Sequence, residues 1–310
     1  MSKFLMTLAL LVPLSSSVFA AAPEPEKQAP VMLEYTYQIG EPVRYRTQNH
    51  QSMIQVLMDQ IVQNSETRDS IITRELLETR EDGTLVVAER YEQFGLKEKT
   101  PGGDFSYDST NPDDESKLDD PRVRSSMASF DWVAQLMMTP QGEVVGLANE
   151  AELAQRAEKV EDLELRQELL DDYSVETQIN NVNPFTKLLP DKPVSVGDSW
   201  QISYVIDEDP MMFSVTQTMT VASIIDWKEG KFVRVDIVGN IDFDLPQEFP
   251  EFMKITDRSI KGRFVFNTHL GTVTDYQTTM SIGFGGSPGE GMPGVSISST
   301  LTTSYEIIRD

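Results

Sequence analysis

Short runs of alternating apolar and polar residues, separated by glycines beside acidic residues, recur along most of this chain and constrain its fold more than any other feature. In "EPVRYRTQ" the alternation places Val43, Tyr45 and Thr47 on one face of a strand. In "DSWQISYVI" it does the same for Trp200, Ile202, Tyr204 and Ile206. The runs are rich in Val, Ile, Thr and Tyr, which favour strands. The pattern predicts a mainly β protein built from antiparallel strands.

Glycine landmarks occur twice in the same order, with matching strand starts after them. The matched pairs are Gly40 with Gly197, Gly83 with Gly230, and Gly142 with Gly271. The recurrence predicts a tandem repeat of two related antiparallel β-sheet units, which could form a half-barrel-like sheet. The glycines suit tight turns that need a positive φ. The alternative is that such turns occur before alternating strands in any β protein.

One segment breaks the β pattern. Residues 149–173, "NEAELAQRAEKVEDLELRQELLDDY", contain no Gly or Pro and consist mainly of strong helix formers. Asn149 and Glu152 resemble a capping box. We expect one long helix over residues 149–173, joining a first β-rich unit at 32–148 to a second at 174–310.

Two other segments are rich in turn residues. Residues 97–121 are long and acidic, and residues 283–294, "GFGGSPGEGMPG", separate two strand-like runs. Both are predicted to be loops. Long loops on a β scaffold often bind partners, but they are also where insertions do least harm.

The N-terminus has the pattern of a secretory signal peptide over residues 1–20. Lys3 precedes an apolar run that is followed by Pro13 and small residues. Cleavage is expected after Ala20, or else after Ala22, and residues 21–31 read as a disordered lead. We expect an exported protein, periplasmic or extracellular, with no membrane-spanning segment after cleavage. The alternative, an uncleaved anchor, would need about 20 apolar residues.

Charge and cysteine content exclude several classes of function. The formal net charge is -24, so long-range repulsion disfavours nucleic acid and anionic membrane surfaces as partners. Solubility is the simplest role for this charge. The chain has no cysteine, which rules out disulfides, thiolate catalysis and a lipidated cysteine anchor. Folding must therefore rely on the core.

Recognisable catalytic motifs are lacking in the sequence. The two histidines, His50 and His269, lie at non-equivalent points of the two copies, and neither belongs to a metalloprotease, triad or phosphate-loop pattern. Paired carboxylates could act as in glycosidases, but 50 acidic residues make that signal uninformative. We expect no cofactor. A loosely defined calcium site is the weak alternative, with these candidate ligands: Asp113, Asp114, Glu115, Asp119 and Asp120.

Clusters of Phe, Met and Trp could line an apolar cavity inside a curved sheet, although such clusters are more often simply core. The candidate residues are Phe130, Trp132, Met137, Trp200, Met212, Phe213, Phe249 and Phe252.

The strand start "PDKPVSVGDSW" and the two glycine hairpins resemble a bacterial secreted family of unknown function built from paired β units. The resemblance implies a β-rich envelope protein and supplies no catalytic residues. In plan alone, the chain is also similar to the curved-sheet lipoprotein carriers of the bacterial periplasm.

These observations favour a non-catalytic binding or scaffolding protein whose partner is an unidentified protein or an apolar small molecule. The alternatives are a carrier of an apolar ligand or lipid in a curved-sheet cavity, and a hydrolase that uses paired carboxylates. A continuous sheet would enclose a cavity, whereas separate sheets would favour surface interactions.

Overall fold

The computed structural model describes residues 29–57, 60–208, 211–228, 230–244, 250–287, 289 and 293–308. The predicted signal peptide, residues 1–20, lies outside these ranges, as does most of the predicted lead. The last residue of that lead, Val31, is described and forms an isolated bridge with Val194.

Strands make up most of the described chain. In order they are β1 (Val43–Leu57), β2 (Gln60–Thr79), β3 (Leu85–Thr100), β4 (Gly103–Asp108), β5 (Ala134–Met138), β6 (Val144–Leu147), β7 (Ser199–Glu208), β8 (Met211–Trp227), β9 (Gly230–Asp244), β10 (Lys254–Asn267), β11 (Thr272–Gly286) and β12 (Val295–Ile307).

All twelve strands belong to one antiparallel sheet that does not close on itself. The order across it is β6-β5-β3-β2-β1-β12-β11-β10-β9-β8-β7, and β4 pairs with β3 off this path. The predicted mainly β, antiparallel class is confirmed. The two predicted units meet where β1 pairs with β12, from Tyr45 opposite Ile307 to Leu57 opposite Val295. The sheet is therefore continuous across the boundary between the units.

Matched glycine landmarks fall at corresponding connections of the two series of strands. Gly40 and Gly197 precede β1 and β7, Gly83 and Gly230 lie at the β2–β3 and β8–β9 hairpins, and Gly142 and Gly271 lie at the β5–β6 and β10–β11 hairpins. Five of these six glycines have a positive φ. Gly230 does not, because Lys228 takes the left-handed conformation in that hairpin. A common origin of the two units stays a prediction.

Four α-helices occur among the described residues: α1 (Pro121–Ala128), α2 (Glu150–Ala157), α3 (Leu163–Asp172) and α4 (Val175–Thr186). The expected single helix over 149–173 is thus divided into α2 and α3. Asp162 is extended, and its carboxylate caps α3 by accepting hydrogen bonds from the backbone N–H groups of Glu164 and Leu165. Asn149 does not cap α2. Its side chain instead bonds to the backbone of Val133 and Gln135.

The predicted loop at residues 97–121 is largely regular structure. It contains the end of β3, all of β4 and a 3-10 helix at Pro112–Lys117. The Asp114 carboxylate fixes this region by accepting from the Asp108 backbone N–H at 2.8 Å and from Lys117 Nζ at 2.6 Å. Of the predicted loop at 283–294, β11 takes the start up to Gly286, and part of the rest lies outside the described residues.

Helix α4 contacts both β6 and β7, the two edge strands of the sheet. The sheet is therefore curled around its helices, and we call the face that packs against them the inner face. The main core combines that face with α2, α3, α4 and the segment 31–37. In the part of the chain that the structure describes, no helix has both the length and the apolar character needed to cross a bilayer.

Candidate functional site

A cavity of about 630 Å³ lies between the inner face and the helices. Its floor is formed by neighbouring central strands whose inward residues are paired by the sheet register. Leu301, Gln51 and Glu66 form one such row across β12, β1 and β2. Thr303, Asn49 and Arg68 form the next. This volume is in the range that holds a small molecule.

Helices and their connections form an aromatic wall opposite the floor. Trp132, before β5, packs on Tyr173 at the end of α3 with ring centroids 5.0 Å apart. Phe185 of α4 stands against Tyr276 at 6.1 Å. The Tyr305 hydroxyl donates to the Phe185 carbonyl oxygen at 3.3 Å, which ties the wall to the floor. Gln178 and Asn181 of α4 add amide groups to the lining.

An ion pair lies at one end of the cavity. Arg74 on β2 stands opposite Glu89 on β3, and Arg74 Nε donates to Glu89 Oε2 at 2.7 Å. The two side chains are only 12% and 14% exposed. Burial alone would lower the pKa of Arg74, but attraction to the Glu89 carboxylate outweighs it and raises that pKa. The guanidinium therefore stays charged.

Buried tyrosines surround this pair. The guanidinium carbon of Arg74 lies 5.5 Å from the ring centroid of Tyr45. The Tyr45 hydroxyl shares a 2.8 Å hydrogen bond with the Thr272 hydroxyl. Burial raises the pKa of Tyr45 well above its usual value and raises that of Tyr276 to about 12. These phenols are neutral at physiological pH, so they act as hydrogen-bonding groups and not as bases.

Among the described residues, two carboxylates line the cavity, and each is paired with an arginine. Besides Glu89, Glu66 accepts from Arg68 Nε at 2.6 Å. Along β2, Glu66 lies about 26 Å from Arg74, the partner of Glu89, for a strand that rises about 3.3 Å per residue. Carboxylate pairs in glycosidases are separated by only about 5–9.5 Å. The carboxylates of this lining are thus not placed to act as an acid-base pair.

A second depression of about 650 Å³ lies at the ends of the strands, bordered by residues that include Gln38, Pro42, Trp227 and Phe232. Trp227 on its rim is 58% exposed. Among its described lining residues no largely buried ion pair occurs, whereas the inner cavity contains the Arg74–Glu89 pair. The inner cavity is the better candidate site.

The predicted apolar cavity residues are not brought together in one place. Trp132 lines the inner cavity, while Trp200 packs on the main core and donates from Nε1 to the Leu188 carbonyl oxygen. Phe130 joins a small cluster beneath α1, and Phe213 joins another cluster on β8–β10.

Of the remaining four residues, two have separate surroundings. The other two lie, wholly or by their side chains, outside the part of the chain that the structure describes. Met137 accepts a hydrogen bond at sulfur from Arg80 at 2.9 Å. Phe252 is half-buried in the turn before β10. Met212 belongs to β8, but its side chain lies outside the described part of the structure, and Phe249 lies outside it altogether.

Calcium candidates are also not gathered into a site. Asp114 is occupied as described above, and Asp120 caps α1 and pairs with Arg122 at 2.7 Å. Asp113, Glu115 and Asp119 are exposed. No group of three His, Asp or Glu side chains suited to a metal ion occurs among the described residues.

The buried pair Arg74 and Glu89 was not identified from the sequence, although a signal for it exists. Arg74 occupies the inward phase of β2 between Ile72 and Leu76, and Glu89 occupies the inward phase of β3 after Leu85 and Val87. A charged residue in an inward position is rarely buried unless it is paired. Two such residues on strands joined by a hairpin indicate a buried ion pair.

Comparisons with known proteins place the chain in a family without assigning a role. Among solved structures, lipovitellin, described under "Lipid-protein interactions in lipovitellin", aligns with a TM-score of 0.36 and 9% identity over 88% of this chain and 26% of its own. The chain thus spans about a quarter of that protein. DynF from the dynemicin biosynthesis pathway of Micromonospora chersina aligns with a TM-score of 0.21 and 6% identity, over 93% of this chain and 92% of its own.

Neither likeness is close enough to assign a fold or a ligand. No curated protein matches the chain by sequence. The model of a family of unknown function, DUF6263, matches residues 82–272, which is more than half of the chain. The chain therefore belongs to the DUF6263 family.

Proposed function

We propose that this chain is an exported, non-catalytic binding protein that holds one amphipathic small molecule in its inner cavity. The observation that carries the proposal is the composition of the lining. Aromatic side chains from the helices and their connections lie on one side of the cavity, which measures about 630 Å³. Hydroxyl, amide and charged groups from the sheet lie on the other side. A ligand with an apolar part and a polar part would satisfy both walls.

Separation of the two lining carboxylates supports a non-catalytic role. Each is held by an arginine, and Glu66 lies about 26 Å along β2 from Arg74, the partner of Glu89, at about 3.3 Å per residue. The secretory pattern of residues 1–20 supports export.

Native mass spectrometry of the full chain expressed in its own host and purified from the envelope tests the proposal. We expect a mass that corresponds to cleavage after Ala20 or Ala22, plus a discrete adduct that organic extraction releases. A clean mass without an adduct would contradict the carrier role and favour a protein partner. An uncleaved mass would contradict export.

A matched pair of variants locates the adduct. Asn49 and His50 are neighbours on β1, but Asn49 lines the cavity whereas His50 is exposed and bonds to Thr67 at 2.8 Å. Asn49→Trp should fill the cavity and abolish the adduct, while His50→Trp should keep it. Equal adducts on both variants would place the ligand elsewhere.

A further inference from the structure

The Arg74 guanidinium forms a hydrogen bond through Nε, while its two terminal nitrogens are available as donors. Its Nε donates to Glu89, and among the described residues its two terminal nitrogens have no hydrogen-bond acceptor. In that part of the chain, the buried side-chain polar atom without a partner is Gln217 Oε1, so the unpaired nitrogens of Arg74 are not sealed from solvent. Because Arg74 lines the cavity, these donors are open to it.

Open donors on a largely buried cation call for an acceptor. A guanidinium offers two parallel N–H groups in a plane, and a carboxylate matches them with two oxygens. Tyr45 covers one face of the guanidinium, with its ring centroid 5.5 Å from Cζ, and helps to hold the plane in position. The free edge of Arg74 is thus a preorganised site for a planar anion.

The charges around Arg74 favour an anion with a single negative charge. Glu89 already compensates Arg74, and the whole chain carries -24. A singly charged group adds less repulsion than a dianionic phosphate would in this setting. Beyond Arg74, the aromatic wall of Trp132, Tyr173 and Phe185 offers surface for an uncharged body.

We propose that the cavity binds a monocarboxylate with an apolar body, with the carboxylate on the open edge of Arg74 and the body against the aromatic wall. This inference rests on the proposed function and names the class of ligand that the same cavity takes.

Calorimetric titration with dodecanoate and with dodecanol, two probes that differ in the head group alone, tests the inference on mature full-length protein stripped of bound molecules. We expect dodecanoate to bind about 10- to 100-fold more tightly, the range for charge-assisted hydrogen bonds. Equal affinities would overturn the role of Arg74 while leaving the cavity as the site. Binding of neither probe would contradict the proposed function as well.

Variants at the ion pair make the test specific. Arg74→Lys keeps the charge and the pairing with Glu89 but lacks the planar fork, so dodecanoate should bind about tenfold more weakly while dodecanol is unaffected. The double variant Arg74→Gln with Glu89→Gln should lose the preference for dodecanoate altogether. Arg258→Gln, in an exposed pair with Asp242, is the control and should bind as wild type does. Unchanged dodecanoate affinity in folded Arg74→Lys would overturn the inference.

Discussion

At the scale of single residues, the largely buried pair Arg74–Glu89 links the stability of the sheet to the proposed carboxylate site. The strand register sets the two residues opposite each other, and the 2.7 Å contact satisfies one side of each group. An unpaired charge at this depth would be costly, so each residue requires the other. The cavity is polar at this end because the two charged side chains require polar neighbours.

Glu89→Gln should lower the free energy of unfolding by about 3 kcal/mol, because it leaves the Arg74 charge buried without a counter-charge. Replacing both residues by leucine should restore part of the loss. The control is Asp242→Asn, in a pair whose side chains are 52% and 65% exposed, which should cost less than about 1 kcal/mol. Urea denaturation measures all three variants, and equal losses for Glu89→Gln and Asp242→Asn would contradict the account.

Gln217 is a residue where a polar group reduces stability. It is 2% exposed on β8; its Oε1 has no hydrogen-bond partner among the described residues, while its Nε2 donates to the Tyr204 hydroxyl at 3.1 Å. Gln217→Met keeps the volume and removes the unsatisfied acceptor, so the free energy of unfolding should stay the same or rise by up to about 1 kcal/mol. A loss of more than about 2 kcal/mol in urea denaturation would show that Oε1 has a partner.

At the scale of elements, the turns of this chain are of two kinds. Gly271 has a positive φ and lies against the segment before β1, where an added Cβ would come within 1.8 Å of Thr36 Oγ1. Gly83 also has a positive φ, but apart from its chain neighbours no described residue lies within 4 Å of its would-be Cβ. The first turn is a packing contact, while the second is a free hairpin.

Gly271→Ala should therefore cost about 2–4 kcal/mol, the sum of the backbone penalty and the steric clash. Gly83→Ala should cost only the backbone penalty of about 1 kcal/mol. Thermal unfolding of the two variants measures the difference, and equal melting temperatures would contradict the contact with Thr36.

A side chain forms hydrogen bonds with the backbone of the edge strand β6. Asn183 of α4 accepts from the Val144 backbone N–H at 2.7 Å and donates to the Val144 carbonyl oxygen at 3.4 Å, as a neighbouring strand would. Asn183→Ala should cost about 1–2 kcal/mol and speed hydrogen exchange at the Val144 amide. Asn180→Ala, at an exposed position on the same helix, should change neither quantity. Unchanged exchange in Asn183→Ala would contradict this role.

Helix boundaries show what the sequence could and could not predict at this scale. Helix formers over 149–173 identify helical structure correctly, but Asp162 can serve either inside a helix or as the cap of a new one. The second role prevails, since the cap bonds to Glu164 and Leu165 and Arg166 holds the Val160 carbonyl oxygen. That choice depends on packing that no local pattern encodes.

At the scale of the whole molecule, the strand alternation was enough to predict the fold class, and the glycine landmarks located most of the hairpins. The register that joins β1 to β12 brings together residues more than two hundred positions apart, such as Tyr45 and Ile307. Such pairing cannot be derived from local periodicity. For the same reason, of the predicted cavity residues whose side chains the structure describes, only Trp132 lies in the inner cavity.

Quenching of tryptophan fluorescence by 12-bromododecanoate tests the central claim, that the inner cavity is the binding site, most directly. Trp132 lines the inner cavity and Trp227 borders the second depression, at the ends of the strands, so each reports on one site. The account predicts strong quenching in wild type and in Trp227→Phe, and its loss in Trp132→Phe. Quenching that persists in Trp132→Phe and disappears in Trp227→Phe would place the ligand at the strand ends and contradict the account.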